Sequence, residues 1–186
     1  MNRFKPTIVL TAVTTIVALL LIVTHAFTYV DTSGIITDKL MASCVEAMGE
    51  GEFVIVSDWQ AEGYGIEKPD NVEKLIKKDD GSIAFEIITN GYSKKGLDLL
   101  VAMNPDGSVK AVSVVSVSDT PGLGTKVQDS AFLAQFSGKI DQLTVVKNQP
   151  KDNEIQAVTG ATYSSTGVTE AVNIATDVYS QLNTNN

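Results

Sequence analysis

The sequence predicts an α+β domain hung from one N-terminal transmembrane helix. Three observations lead to this fold class. Residues 7–30 contain no Asp, Glu, Lys or Arg, and this run reaches the roughly 20 residues that a helix needs to cross a bilayer. Short apolar runs separated by turn residues follow, a pattern typical of an antiparallel sheet. The chain then closes with apolar residues at helical spacing between Val168 and Leu182, which predicts an amphipathic terminal helix.

The composition restricts the chemistry that the chain can perform. The 186 residues carry a formal net charge of −8, with one Cys and one His. Both Arg3 and Lys5 precede the apolar run, so the rest of the chain is more acidic still and is unsuited to binding nucleic acid. A single Cys excludes an intrachain disulfide, and a single His removes most nucleophile–base pairs and zinc sites. We therefore expect no metal site and no catalytic residue, and any redox chemistry to come from a cofactor.

The apolar run is interpreted as a single-pass anchor. The alternative is a cleaved signal peptide, but the run exceeds the ~7 to 15 residues of a typical signal h-region and no small-residue cleavage site follows it. Arg3 and Lys5 precede the run and Asp31 follows it. Because basic residues stay on the cytoplasmic side, we expect the N-terminus in the cytoplasm and the main domain on the outer face of the membrane, with lipid around the helix.

These observations divide the chain into four parts. Residues 1–6 are the cytoplasmic N-terminus, residues 7–30 the transmembrane helix, residues 31–52 a helical connector and residues 53–186 the extracytoplasmic domain. The connector shows helical spacing from Ile35 to Met48 before Gly49 ends the pattern. Cys44 lies on the apolar stripe of this helix, which indicates a buried, unreactive thiol.

The domain is predicted as a strongly bent antiparallel sheet with flanking helices. A loop is expected around Gly63 to Pro69, and the turn Asn104–Gly107 is expected to join two neighbouring strands as a hairpin, since Pro fixes one φ and Gly accepts a positive one. A short helix is expected over residues 129–136. The predicted strands are residues 53–57, 83–89, 97–103, 109–117 and 143–146.

A glycine-rich loop follows the fourth predicted strand. It contains Thr120, Pro121, Gly122, Leu123 and Gly124. Pro-Gly favours a type II turn, and two glycines around one leucine allow the backbone to approach a flat ligand while the leucine offers an apolar contact. The simpler interpretation is a loop that only connects a strand to a helix.

A second loop, rich in hydroxyl groups, precedes the terminal helix. It contains Thr159, Gly160, Ala161, Thr162, Ser164 and Ser165. An anion bound there would meet the free N–H groups of the helix start and the positive end of its dipole. The simpler interpretation is that these hydroxyls only cap the helix.

Together, the two loops and the N-terminal span resemble the G subunits of bacterial Rnf electron-transport complexes. The C subunit of the sodium-pumping NADH:quinone reductase shares their flavin-binding domain. The resemblance covers nearly the whole chain. Two positions differ from the usual motifs: Gln156 stands where an acidic residue is usual, and Asp119 where Glu is common.

The resemblance implies an FMN-binding domain in which the phosphate of FMN is esterified to Thr162. A flavin transferase using FAD would attach it. Gly160 and Ala161, which follow Thr159 in the motif, would leave clearance for the donor, and Ser164 and Ser165 would neighbour the phosphate. The loop from Thr120 to Gly124 would be a wall for the ring, with Leu123 against it. The other Rnf subunits would be partners, and the chain would relay electrons within a ferredoxin:NAD oxidoreductase that moves Na⁺ or H⁺.

Two alternatives stay open at this point. The chain could be the C subunit of the quinone reductase, with the same cofactor and different partners. It could also be a membrane-anchored binding module that holds a phosphate-bearing ligand noncovalently and has no redox role.

Overall fold

A computed structural model describes residues 5–28, 34–61 and 63–184. The chain divides into two units, Met1–Thr32 and Ser33–Asn186. Parts of all four predicted regions lie outside the described residues: residues 1–4 of the N-terminus, 29–30 of the span, 31–33 of the connector, and 62 and 185–186 of the domain.

The first unit contains helix α1, Lys5–Thr28. Within it, Thr7–Thr28 is long and apolar enough to cross a membrane. Its threonines bond to their own helix: Thr11 donates to the carbonyl of Thr7, Thr15 to that of Thr11, and Thr24 to that of Leu20. These hydroxyls are therefore satisfied without water, as an environment of lipid requires.

Helix α2, Asp38–Met48, begins the second unit. Thr37 is its N-cap and accepts a hydrogen bond from the N–H of Leu40 at 3.3 Å. The predicted helical pattern started at Ile35, but the cap at Thr37 leaves Ile35 before the helix. Gly49 ends the helix with φ of 83°, a value that glycine adopts at little cost.

Five antiparallel strands follow and pair in chain order. They are β1, Phe53–Val56; β2, Val72–Lys78; β3, Ile83–Thr89; β4, Leu97–Met103; and β5, Val109–Val117. The sequence predicted all of these except β2. The turn between β4 and β5 forms as predicted, with the N–H of Gly107 donating to the carbonyl of Asn104 at 3.0 Å. Register shifts interrupt the pairing within β2–β3 and β4–β5, and such irregularities locally bend and twist a sheet.

The sheet is covered on both faces, and this explains why β4 is apolar almost throughout. Leu99 and Val101 of β4 belong to the core beneath α4, Thr162–Thr184, whereas Leu100 and Ala102 belong to the core beneath α2. The buried stripe of α4 contains the predicted residues Val168, Ala171, Val172, Ala175, Val178, Tyr179 and Leu182.

The remaining elements connect β5 to α4. A 3₁₀ helix, Gly124–Gln128, leads into α3, Ser130–Leu133, and a second 3₁₀ turn, Ala134–Phe136. The helix predicted over residues 129–136 is thus split into an α turn and a 3₁₀ turn. Strands β6, Thr144–Val146, and β7, Glu154–Gln156, then pair in parallel. The predicted α+β class is confirmed.

Candidate functional site

The hydroxyl-rich segment forms a tight turn between β7 and α4. The N–H of Ala157 donates to the carbonyl of Val146 at 2.8 Å, which extends the pairing of β6 and β7. Gly160 has φ of 82°, a left-handed conformation that strains other residues. The N–H of Ala161 then donates to the carbonyl of Val158 at 2.9 Å. This turn leads directly into Thr162, the first residue of α4.

The first turn of α4 presents free backbone donors. Ser165 is the first residue of the helix whose N–H is bonded, to the carbonyl of Ala161 at 2.8 Å. Within the described part of the chain, the N–H groups of Thr162, Tyr163 and Ser164 have no acceptor. Three consecutive donors at the positive end of a helix are suited to binding an anion.

The two serines of the predicted phosphate site point into the protein instead. Ser164 is buried, and its Oγ donates to Oδ2 of Asp119 at 2.5 Å. Ser165 is also buried, and its Oγ accepts from the N–H of Val158 at 3.0 Å. Their hydroxyls therefore hold the turn and the helix start in place. A role beside a phosphate stays a prediction for both.

The glycine-rich loop lies against this turn. The N–H of Leu123 donates to the carbonyl of Thr120 at 3.2 Å, and Gly122 has φ of 75°, as in a type II turn. A methyl group placed on Gly160 would lie 3.3 Å from Cδ2 of Leu123. The Leu123 side chain is 48% exposed, so the loop offers an apolar surface beside Thr162.

A cavity of about 300 Å³ lies between the two loops. Its lining residues are Tyr92, Thr120, Leu123, Gly124, Gly160, Ala161, Thr162, Tyr163 and Ser164. Seven of these nine residues were predicted as site residues from the sequence. The other two are tyrosines that the sequence reasoning missed.

The two tyrosines stand at the rim of this cavity, which we call the aromatic cavity. The rings of Tyr92 and Tyr163 meet edge to face with centroids 6.3 Å apart, a favourable arrangement for aromatic pairs. They are 73% and 72% exposed, respectively. Exposed aromatic rings beside a cavity offer contact area to a flat ligand. The sequence placed Tyr92 only in a connecting segment, and nothing in its neighbourhood signalled contact with Tyr163.

A second cavity, of about 260 Å³, lies on the other side of the turn. It is lined by Lys147, Ala157, Val158, Thr159, Gly160 and Thr162. Lys147 directly follows β6, is exposed and has no ion-pair partner among the described residues. Thr162 and Gly160 line both cavities, so Thr162 lies between a cationic surface and an aromatic one.

Asp119 joins three segments around the aromatic cavity. Its carboxylate accepts from the N–H of Tyr92 at 3.1 Å, the N–H of Ser93 at 2.8 Å and the hydroxyl of Ser164 at 2.5 Å. Burial by itself raises the pKa of Asp119, but the hydrogen bonds from Ser164, Ser93 and Tyr92 outweigh it and hold the pKa below its ordinary value. The carboxylate is therefore ionised at neutral pH.

Gln156, which stands at the usually acidic position of the attachment motif, is bonded through its backbone. Its N–H donates to Oε1 of Gln135 at 2.8 Å, and its carbonyl accepts from Nε2 of Gln135 at 3.3 Å. The residue is exposed, so its side chain is accessible at the surface.

Comparison with known proteins finds similarity over the region that contains this site. Residues 91–177 match the FMN-binding domain family, and this range includes both loops, both tyrosines and Asp119. The chain is 35% identical over 131 residues to the G subunit of the Na(+)-translocating ferredoxin:NAD(+) oxidoreductase complex of Acetobacterium woodii, covering 66% of this chain and 62% of that protein. It is 41% identical over 103 residues to the G subunit of the proton-translocating ferredoxin:NAD(+) oxidoreductase complex of Clostridium ljungdahlii, covering 54% and 56%.

The matches span less than two thirds of the length of these curated relatives. Among solved structures, NqrC of Shewanella oneidensis has the same fold, with a TM-score of 0.59 at 19% identity over 80% of this chain and 96% of that one.

Proposed function

Because residues 91–177 match the FMN-binding domain family, we propose that this chain binds FMN through a covalent bond between the flavin phosphate and Oγ1 of Thr162. The observation that carries the proposal is the position of Thr162. It begins α4 beside three free N–H donors and lines both the aromatic cavity and the Lys147 cavity. A phosphate there would meet donors on one side, and a flat ring would have an aromatic surface next to it.

The residues present fit this cofactor. The unpaired N–H groups of Thr162, Tyr163 and Ser164 can stabilise the one negative charge that a phosphodiester retains, and the ammonium of Lys147 lies beside the same turn. Leu123, Tyr92 and Tyr163 supply apolar and aromatic contacts for a ring. FMN, when bound, would supply the capacity to accept and pass on electrons.

Attachment would be carried out by a flavin transferase that uses FAD. The P–O bond between the FMN phosphate and AMP breaks, the bond from phosphorus to Oγ1 of Thr162 forms, AMP leaves, and the threonine hydroxyl loses its proton. The chain contributes an accessible hydroxyl: Thr162 is half-buried, and its neighbours Gly160 and Ala161 are small. No catalytic residue of this chain is needed.

The wider role follows from the relatives. Both curated relatives are G subunits of ion-translocating ferredoxin:NAD(+) oxidoreductase complexes. We propose that this chain is the corresponding electron-carrying subunit, anchored by α1 with the flavin domain outside the cytoplasm and assembled with the other subunits of such a complex. The relatives are named for different ions, sodium in one and protons in the other, so the proposal extends to ion translocation without naming the ion. The fold that this chain shares with NqrC would also suit a subunit of the quinone reductase. The curated relatives, however, favour a subunit of a ferredoxin:NAD(+) oxidoreductase.

The test is co-expression of the full chain with a flavin transferase. We expect the denatured protein band to fluoresce as flavin and the peptide spanning residues 156–165 to carry the mass of FMN. Thr162→Ala should abolish both signals, because the accepting oxygen is gone. Thr144→Ala is the matched control, since it removes an exposed threonine side chain on β6 that lies outside both loops and both cavities, and it should retain both signals.

A fluorescent Thr162→Ala band would contradict the attachment site. Flavin that copurifies with the native protein but leaves on denaturation would instead indicate the noncovalent binding module.

A further inference from the structure

We propose that Asp119 is a positioning residue for flavin attachment, because its carboxylate is bonded to both the first turn of α4 and the Tyr92 loop, two segments that line the aromatic cavity. The Tyr92 loop is the segment 90–96 between β3 and β4. This inference rests on the proposed function, but its structural part concerns the flavin-free protein and can be tested separately.

The contacts of Asp119 reach elements that are distant in sequence. The hydroxyl of Ser164 links α4 to the carboxylate, and the N–H groups of Tyr92 and Ser93 link the Tyr92 loop to it. Ser164 lies two residues after Thr162 in the same helical turn. Restraining Ser164 therefore restrains the backbone that carries the accepting hydroxyl. Tyr92 is restrained through its own N–H, which sets the position of one aromatic wall.

The carboxylate is enclosed by glycines. Asp119 is only 5% exposed. A methyl group on Gly96 would lie 2.8 Å from its Oδ1, one on Gly124 would lie 2.5 Å from its Cβ, and one on Gly91 would overlap its Oδ2. The Tyr92 loop, at Gly91 and Gly96, and the glycine-rich loop, at Gly124, can approach the carboxylate this closely only because they lack side chains at these points. The three glycines thus form a glycine receptacle, a close-fitting pocket that accommodates one carboxylate.

Further bonds tie the Tyr92 loop to the end of β5. The hydroxyl of Ser93 donates to the carbonyl of Ser118 at 3.2 Å, and the N–H of Ser118 donates to the carbonyl of Gly96 at 2.7 Å. These bonds hold the loop to the strand end, whereas the bond from Ser164 extends the network to α4. Hydrogen bonds to a charged acceptor are also stronger than neutral ones, so Asp119 is the strongest link between the cavity walls.

Asp119→Asn is the test variant, and Asp106→Asn is its matched control. Asp106 also accepts from a serine hydroxyl and an amide, those of Ser108 at 2.6 and 2.9 Å. It lies in the turn at the far end of β4, about 20 Å from the Tyr92 loop along a seven-residue strand. Both variants weaken charge-assisted hydrogen bonds, three at Asp119 and two at Asp106, and only Asp119→Asn does so at the cavity.

The first measurement is hydrogen exchange of the full-length, flavin-free protein in detergent. We expect Asp119→Asn to speed exchange in peptides covering residues 90–96 and 160–166, while Asp106→Asn speeds exchange only near its own turn. Uniformly faster exchange across the domain, or unchanged exchange in both cavity peptides, would overturn the proposal. This readout does not depend on flavin, so it stands even if Thr162 proves not to be the attachment site.

The second measurement is the kinetics of flavin attachment by the transferase. We expect Asp119→Asn to lower kcat about tenfold, the change that ~1.4 kcal/mol produces, because the accepting hydroxyl is less well placed. The KM for FAD should not change, since FAD binds to the transferase. Asp106→Asn should keep the wild-type kcat, and an equal kcat in both variants would overturn the positioning role.

Ser164→Ala provides a second route to the same answer if Asp119→Asn fails to fold. It removes only the bond to α4 and leaves the two amide bonds of Asp119 in place. Exchange should then rise in residues 160–166 alone, and kcat should fall. Wild-type exchange and wild-type kcat in Ser164→Ala would overturn the link between Asp119 and Thr162.

Discussion

One carboxyl group on the sheet face beneath α2 lacks a hydrogen-bond partner. Oδ1 of Asp98 is buried and has no partner in the described part of the chain. Nearby, Lys74 and Glu86 form a buried ion pair at 2.6 Å. Burial, aided by the nearby charge of Glu86 and partly opposed by Lys74, raises the pKa of Asp98 to about 7. Asp98 therefore holds a proton in the folded protein at pH values where the unfolded chain releases it.

The stability of the domain should consequently fall as pH rises from about 4, the ordinary Asp pKa, to about 7. The folded state binds more protons than the unfolded state across this window, so raising the pH favours unfolding. Asp98→Asn should remove this contribution and raise the Tm at pH 8 relative to wild type, with little change at pH 4. Thermal unfolding of the full chain in detergent measures both, and exposed Asp141→Asn serves as control. An identical pH dependence in Asp98→Asn and wild type would contradict the assignment.

At the site, the sequence could predict the two loops but not the residues that join them. Gly160 and Pro121-Gly122 indicate turns because the φ preferences of Gly and Pro are properties of the residues themselves. Tyr92 and Asp119 act through contacts across 27 positions of sequence, and these contacts exist only once β3, β4 and β5 have paired. The inward bonds of Ser164 and Ser165 were missed for the same reason, since a serine near a helix start has the same sequence signature whether it caps, binds a ligand or bonds to a distant carboxylate.

Among the elements, α4 is fitted most closely to the sheet at Gly167. The hydroxyl of Thr89, at the end of β3, donates to the carbonyl of Gly167 at 2.9 Å. A methyl group on Gly167 would overlap the carbonyl oxygen of Asn90 and lie 2.7 Å from Cδ1 of Leu97. The glycine thus permits the close approach of helix and sheet that places Thr162 beside the Tyr92 loop.

Gly167→Ala should destabilise the domain although alanine favours the helix. The propensity gain is about 1 kcal/mol, whereas overpacking costs typically ~1–3 kcal/mol, and here the neighbour is backbone that cannot rotate away. We expect a lower denaturant midpoint and reduced flavin attachment. Thr166→Ala, at the adjacent exposed position of α4, gains helix propensity without a steric overlap with the sheet. It should be neutral or stabilising. A midpoint for Gly167→Ala at or above wild type would show that the helix can shift freely.

Strands β2 and β7 could not be predicted from the sequence, for physical reasons. Strand β2 contains Glu73 and three lysines, and its buried Lys74 resembles a solvent-facing charge until its partner Glu86 on β3 is known. Strand β7 has only three residues and pairs in parallel with β6, so it has no turn signal of its own. The hairpin of β4 and β5 was predictable because Asn104–Gly107 fixes its register locally.

For the molecule as a whole, the distribution of basic residues predicts the side of the membrane on which the domain works. Arg3 and Lys5 precede the apolar run, and every acidic residue of the chain follows it. Under the positive-inside rule, the domain should face away from the cytoplasm. A covalently held cofactor suits that location, because it cannot diffuse away from the cell surface.

Gln149→Cys should react with a membrane-impermeant maleimide in cells whose cytoplasmic membrane is intact. Gln149 is exposed. Wild type is a suitable background because Cys44 is fully buried and burial raises its pKa to about 11, which leaves almost no reactive thiolate. Labelling of Gln149→Cys only after the membrane is broken would place the domain in the cytoplasm instead. Wild type should stay unlabelled in both conditions.

The glycine receptacle of Asp119 also constrains how this protein can evolve. Gly91, Gly96 and Gly124 surround one carboxylate, so a mutation that adds a side chain at any of them displaces the acid on which the other segments depend. Each glycine excludes a side chain for the same reason, because the side chain of Asp119 occupies the space that a Cβ would need. We therefore expect the three glycines to be under one shared steric constraint, although they are scattered along the chain.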